Sequence, residues 1–319
     1  MSRRQLFPLL IATLLSLPFL ISTSHAQSKS PKSPLGASAA RNLIRRMAGI
    51  ELPSGAVHVK SLSSPDRTTV DVVAQVETAF RFVKKREGWR VAEVRTGDNR
   101  WEETVLILRA LRQETAGSGV CAETTPAPAK DETDPSAALA RCLIAQLLGI
   151  EWPVDTDPNR ISLDAVRVRS VSSSLAFGDE PSALVEARVE MQFRLLKGTD
   201  GKWRVARVRT GNNEWAEVES IANAVNEQKR ARAEEELETL AAALEAFRRE
   251  RDFYIEAKTE SALVDQLNPL YLRRVIRIDP WRKPYQYEGT RSSYTLRSDG
   301  ADGRPRTSDD IVKTMNAER

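Results

Sequence analysis

The chain has 319 residues, 41% of them hydrophobic and 29% charged, with a formal net charge of +4. That is enough chain for two or three domains and enough apolar content to give each a core, which excludes a disordered protein. Basic and acidic residues are interleaved and aromatics make up only 6%, so the concentrated basic face with stacking rings that a nucleic-acid binder needs is absent, and no nucleic-acid partner is expected.

Arg3 and Arg4 precede an apolar run from Leu6 to Ile21, followed by Ser24, His25 and Ala26. This order predicts a secretory signal peptide over 1–26 and a mature start at Gln27. Pro8 and Pro18 interrupt the run, which is also short for a membrane span, so the mature form is not expected to span a membrane. The expected location is the periplasm or the exterior, with an uncleaved N-terminal anchor as the alternative. Removing Arg3 and Arg4 lowers the formal charge from +4 to +2. Cys121 and Cys142 are the only cysteines; in an oxidising compartment one disulfide and two separate thiols both fit.

After a polar linker over 27–39, the sequence repeats itself. "ARNLIRRMAGIELP" from Ala40 returns as "ARCLIAQLLGIEWP" from Ala140. Further on, "AFRFVKKREGWRVAEVRTGDNRW" from Ala79 returns as "QFRLLKGTDGKWRVARVRTGNNEW" from Gln192, an offset of 113 that widens to 114 in a turn. The copies occupy 40–115 and 137–226, and the Pro-, Ser- and Thr-rich 116–136 between them reads as a linker.

Each copy opens with an amphipathic helix, marked by Leu43, Met47 and Ile50 and by Leu143, Leu147 and Ile150. Alternating segments follow, including Val57–Ser61, Val70–Phe82 and Trp89–Glu93, and predict an antiparallel meander. Asn99 with Glu102 three positions on predicts a capped helix bearing Val105, Leu108 and Leu111. The fold class is therefore α+β, with two tandem α-β-β-β-α repeats. Trp89 and Trp203 are expected to be largely buried. A helix on a curved sheet also resembles nuclear-transport-factor-like and cystatin-like domains, some of which enclose a small ligand. Trp101, Trp215, Arg95 and Arg209 could line such a pocket, or the tryptophans could be core and corner residues with the arginines on a sheet face. The mature part keeps one histidine, His58, whose counterpart is Arg167, which argues against a Ser-His-Asp triad or a multi-histidine zinc site.

From Trp215 no Gly or Pro occurs until Pro269, and two apolar stripes appear: Trp215, Val218, Ala222 and Val225, then Leu237, Leu240, Leu244 and Phe247. One long helix is predicted, with the polar "NEQKRARAEEE" as its solvated middle. It leads into the last segment, 227–319, where Asp299, Asp302, Asp309 and Asp310 crowd a short loop and repel one another unless something compensates their charge.

Asp279-Pro280-Trp281, Pro284-Tyr285-Gln286-Tyr287, Gly300-Ala301-Asp302-Gly303 and Asp309-Asp310-Ile311 stand in an order and spacing that resembles the globular end of protein G, the major pseudopilin of type II secretion systems. The resemblance covers roughly 232–311. It implies a helix, a β-hairpin and a calcium-binding loop, with carboxylates from Asp302 and from one or both of Asp309 and Asp310, and main-chain carbonyls from Asp299 and Ser308. Hard oxygen donors on a glycine-bearing loop suit Ca²⁺, although the spacing is not that of an EF-hand. The sequence departs from the family in two ways. The duplicated segment stands where the family has a hydrophobic assembly helix behind a short leader, and Arg282 and Lys283 replace the family's favoured Gly and Asn. The reading that follows is an exported, non-enzymatic structural or adaptor protein with secretion-system or envelope partners, and a homo-oligomer is compatible with it. The alternative is a pair of small-ligand-binding or enzymatic repeats with the pseudopilin-like end as a docking module.

Overall fold

The computed structural model describes residues 33–111, 121, 134–148, 165–177, 180–209, 214–257 and 260–316. The expected signal peptide, residues 27–32 of the 27–39 linker and nearly all of the 116–136 linker lie outside them, as does Ile150. The first copy forms α1 (Ala37–Arg45), β1 (Val57–Ser63), β2 (Thr69–Lys85), β3 (Gly88–Arg95), β4 (Trp101–Glu103) and α2 (Thr104–Ala110). The second forms α3 (Ala137–Leu147), β5 (Val166–Phe177), β6 (Glu180–Lys197), β7 (Trp203–Arg209), β8 (Trp215–Glu217) and the long α4 (Val218–Arg251). The chain continues through α5 (Glu260–Leu267), β9 (Gln286–Gly289), β10 (Ser293–Ser298) and β11 (Ile311–Asn316). The class is α+β, as expected.

Three local expectations are corrected. The short strands β4 and β8 pair with β3 and β7 where a capped helix was expected to start. Trp101 lies under the Arg81 guanidinium at 4.5 Å and Trp215 under that of Arg194 at 4.4 Å, contacts that hold both aromatic residues extended on the sheet. Asn99 therefore does not cap α2, and Trp215 does not belong to the stripe of α4. In addition, α1 stops at Arg45, short of Met47 and Ile50, where the chain turns through Gly49 at φ 76°. Its buried residues are Ala40 and Ile44, and those of α3 include Ala140 and Ile144 at the matching positions. Finally, Trp89 and Trp203 are half-buried rather than buried, because each lies at the start of its strand next to a hairpin turn.

All eight strands of the two copies form one antiparallel sheet in the order β4-β3-β2-β6-β7-β8, with β1 added to β2 and β5 to β6. Its centre is the pairing of β2 with β6, which runs from Thr69 opposite Leu196 to Val83 opposite Ser182. At the midpoint Val76 faces Val189, and these two are sequence equivalents at the offset of 113. A residue opposite its own duplicate is the arrangement of a two-fold symmetric, isologous contact. The irregularities agree with it. The β1–β2 register shifts between Val59 and Ser61 and the β5–β6 register between Val168 and Ser170. The β2–β3 shift at Arg81 and Phe82 recurs in β6–β7 at Arg194 and Leu195. Ion pairs cross the centre reciprocally: Lys60 to Glu190 at 2.6 Å and Arg169 to Glu77 at 2.7 Å. These pairs are partly exposed and contribute little to stability, but they favour one register.

The long strands make each core a mixture of both copies. Under α1, Ala40 and Ile44 pack with Val70, Val72 and Ala74 of β2, but also with Phe193 and Leu195 of β6 and Val205 and Val208 of β7. Under α3, Ala140 and Ile144 pack with Val185, Ala187 and Val189 of β6, but also with Phe80 and Phe82 of β2. A disulfide joins Cys121 to Cys142 on α3, with their Cα atoms 5.9 Å apart. Among the described residues no helix is long and apolar enough to cross a membrane.

A third core forms around the C-terminal half of α4. Ala233, Leu237, Leu240, Leu244 and Phe247 recur at helical spacing and are buried against Tyr254, Ile255, Leu263, Leu267 and the tyrosines of the three-stranded sheet β11-β10-β9. Asp252, at φ 67°, closes the helix by donating its N–H to the Arg248 carbonyl at 2.7 Å.

The shared cores give a direct expectation. Phe193 is fully buried, and Phe193→Ala should cost about 3–5 kcal/mol. The loss should loosen α1, which belongs to the other copy in sequence, more than α3. Amide hydrogen exchange resolved by helix checks this.

Candidate functional site

The turn after α5 is organised by one carboxylate. Asp279 is 3% exposed, and its Oδ1 accepts the backbone N–H of Trp281 at 3.0 Å and of Lys283 at 2.8 Å. Its Oδ2 accepts the Ser298 hydroxyl at 2.6 Å, and the N–H of Gly300 in turn donates to Ser298 Oγ at 3.3 Å. Burial pushes the Asp279 carboxyl above the usual range, while these donors oppose that shift. The motif Asp-Pro-Trp thus ties the turn at 279–283 to the start of the acidic loop.

Buried tyrosines fix the strands of this domain. Tyr285 donates to Glu236 Oε2 at 2.8 Å and Tyr287 to the Ile255 carbonyl at 2.7 Å. Burial raises both phenols far above their ordinary value, and it pushes Tyr294 up to about 12. All three hydroxyls stay protonated at any physiological pH, so Tyr285 and Tyr287 remain neutral donors.

The acidic loop connects β10 to β11. Three of the five sequence-predicted site residues come together around the hydroxyl of Thr307, whose Oγ1 lies 2.6 Å from Asp309 Oδ1, 3.2 Å from Asp310 Oδ1 and 3.4 Å from Asp302 Oδ1. The Arg304 carbonyl is also 3.1 Å from it. One hydroxyl proton faces four oxygen acceptors. Asp309 Oδ2 further accepts the Asp302 N–H at 3.0 Å, and the Thr307 hydroxyl together with that amide holds the Asp309 carboxyl below its usual range. Asp299 is not in this group: its Oδ1 takes the Arg297 Nε at 2.8 Å, and Arg297 also stands 3.8 Å from Asp310. Ser308 lies exposed between Thr307 and Asp309.

Gly300 makes the close approach feasible. It sits at φ 63°, and a Cβ there would come within 2.5 Å of the Asp309 carbonyl oxygen and 2.6 Å of Asp309 Oδ2. Among the described residues no group of three His, Cys, Asp or Glu side chains is already arranged to hold a metal ion. Backbone N–H groups also reach the loop's carboxylates, from Arg304 to Asp302 Oδ1 at 2.7 Å, from Arg306 to Asp310 Oδ2 at 2.8 Å and from Thr307 to Asp310 Oδ1 at 3.4 Å; the loop is an all-oxygen set of carboxylates and main-chain carbonyls, the donor type that a hard cation such as Ca²⁺ takes.

Several charged residues of consequence were missed by sequence reasoning. The middle of α4 is not solvated, since Lys229, Ala233 and Glu236 are all buried. Lys229 donates to Glu102 Oε1 of β4 at 2.8 Å. Glu236 takes Arg232 at 3.1 Å and Arg274 at 3.3 Å on one oxygen. It forms part of the wall of a groove of about 570 Å³, shared with Arg232, Tyr271, Leu272 and Arg273. The signal was present: Val225, Lys229, Ala233, Leu237 and Leu240 continue one helical stripe, with a lysine standing in an apolar position.

With this geometry in place, comparison with known proteins is informative at one end of the chain. Residues 220–316 match the family described as Type II secretion system (T2SS), protein G. The match begins within the first turn of α4 and ends at the last residue of β11, wider on both sides than the stretch that carries the sequence resemblance. No curated protein and no solved structure matches the chain.

The depressed Asp309 carboxyl sets a pH dependence. A group whose folded pKa is lowered adds stability above its unfolded value, near 3.9 for Asp, and loses it as pH falls through the folded value. Thermal unfolding between about pH 6 and 2 should therefore show an acid-side loss that is smaller in Asp309→Asn.

Proposed function

We propose that this chain is an exported, non-enzymatic structural or adaptor protein of the secretion machinery, acting in the periplasm or at the envelope once its signal peptide is removed. The observation that carries this reading is the protein G family match over residues 220–316. That match covers all of the third core, and a sheet of two sequence copies stands in front of it. Secretion-system or envelope proteins are its partners, and a homo-oligomer is consistent with the assembly role of such a domain.

In this reading the loop between β10 and β11 holds Ca²⁺. Carboxylates of Asp302, Asp309 and Asp310 and the main-chain carbonyls of Asp299 and Ser308 would be the ligands. When bound, the ion supplies the positive charge that offsets carboxylate repulsion. Thr307, which shares one proton among four acceptors, would hold Asp309 and Asp310 near one another, and Gly300 would keep space for the Asp309 main chain. Arg297, already beside Asp299 and Asp310, partly neutralises the loop on its inner side.

Cross-linking in the envelope followed by affinity capture of the full chain tests the partner assignment, and it is expected to recover secretion-system components. Recovery of none above an unrelated exported control would contradict the assignment. Calorimetry of the full chain tests the loop. Ca²⁺ at about a hundred times its dissociation constant should stabilise the domain by about 2.7 kcal/mol. Asp302→Ala and Asp309→Ala should each abolish that gain, and a Tm unmoved by chelator in the wild type would contradict the calcium site.

A further inference from the structure

The two-fold arrangement of the sheet creates two equivalent edges, β3–β4 in the first copy and β7–β8 in the second. Only the first carries carboxylates at the decisive positions. Glu93 on β3 corresponds to Arg207 on β7, and Glu102 on β4 corresponds to Ala216 on β8. Glu103 has a counterpart in Glu217, which is exposed and pairs with Arg207 at 3.3 Å.

The carboxylate edge faces cations of the C-terminal domain. Glu93, only 3% exposed, pairs with Arg81 of its own sheet through one oxygen and with Arg282 of the 279–283 turn through the other. Lys229 of α4, 6% exposed, donates to Glu102 Oε1 at 2.8 Å and lies 2.7 Å from its second oxygen. At the rim, Arg232 reaches Glu103 at 2.7 Å. The amide of Gln228 donates to the Leu106 carbonyl of α2 at 3.3 Å, which extends the contact to that short helix. On the other side of the same helix turn, Arg230 donates to the Asp309 carbonyl at 3.3 Å.

Arg282 stands out on backbone grounds. It occupies a left-handed conformation, φ 67°, which glycine adopts without cost and a long side chain does not. The guanidinium that this residue brings is the group that reaches buried Glu93.

We propose that Glu93, Glu102 and Glu103 form a docking surface specific for the C-terminal domain. Arg282 and Lys229 are the residues that lock the domain onto the first copy, and the charge inversion at Arg207 with the loss of a carboxylate at Ala216 keeps it off the second. The duplicated sheet and the C-terminal domain then move as one body, with the acidic loop held in a fixed orientation relative to the sheet. This inference rests on the described contacts and does not depend on calcium or on the secretion partner.

A charge exchange tests it in the full chain, kept in chelator so that loop occupancy is constant. The amides of α2 are the readout, because seven residues cannot hold a helix without the packing that α4 provides. Glu102→Lys and Lys229→Glu, each leaving a buried charge unpaired, should speed α2 exchange on the order of a hundredfold. Exchange in β9–β11 should stay at the wild-type rate, and the double variant should return α2 to within a few-fold of wild type. Arg282→Gly relieves the left-handed backbone, so it should leave the C-terminal sheet protected while loosening α2. If the single variants leave α2 exchange unchanged, or if the double variant is no better than the singles, there is no lock. Loss of protection in β9–β11 by Arg282→Gly would equally overturn it, since Arg282 would then be serving its own domain.

Discussion

The antiparallel pairing of β2 with β6 is the constraint from which the rest of the architecture follows. Each strand is long enough to pass beneath both α1 and α3. Once Val76 faces Val189, the inward residues of either strand are divided between two cores, and neither sequence copy has a complete core of its own. The side-chain period of a strand is two, so a slip of one residue would turn the apolar set of the slipped strand, Val72 with Ala74 or Phe193 with Leu195, out to water. Hydrophobic burial, rather than the exposed ion pairs above the sheet, sets the register. Lys60, Glu77, Arg169 and Glu190 then favour the same alignment by charge.

A two-fold sheet has two like edges, but the chain has only one C-terminal domain to place. The long helix α4 leaves the second copy at β8 and delivers its buried Lys229 to the edge of the first. Buried ion pairs give little net stability compared with apolar contacts, yet they discriminate strongly against an unpaired arrangement. That property suits the choice between two edges of nearly identical backbone. Asp279 then carries the fixed position onward, since it joins the turn bearing Arg282 to Ser298 and Gly300 at the base of the acidic loop.

Much of this was legible in the sequence because it depends on local pattern. The stripe from Leu237 to Phe247 predicted the long helix, and alternation from Val70 to Phe82 predicted a strand. The spacing of Asp-Pro-Trp, the tyrosines and the aspartates located the C-terminal domain and gathered Asp302, Asp309 and Asp310. What stayed hidden is non-local. Alternation shows which side of β2 is buried but not that β6 is its neighbour, and the same apolar residues would serve a meander closed on itself. Lys229 read as a solvated charge and Glu93 only as a strand position, because their burial depends on partners 127 and 189 positions away. Trp101 and Trp215 read as helix entry because the guanidiniums that hold them extended come from a strand that does not adjoin them in sequence.

Cross-linking across the centre of the sheet tests this account most directly. Gln75 and Glu190 are directly opposed on the outer side of β2 and β6, where facing Cα atoms in an antiparallel pair are about 4.5–5.5 Å apart, within reach of a disulfide. The double variant Gln75→Cys with Glu190→Cys should oxidise within one chain to near completion while keeping the wild-type fold. Gln75→Cys with Glu186→Cys, four residues out of register, should remain reduced. Efficient bridging of the second pair, or failure of the first to form, would contradict the shared sheet on which both mixed cores and the choice of docking edge depend.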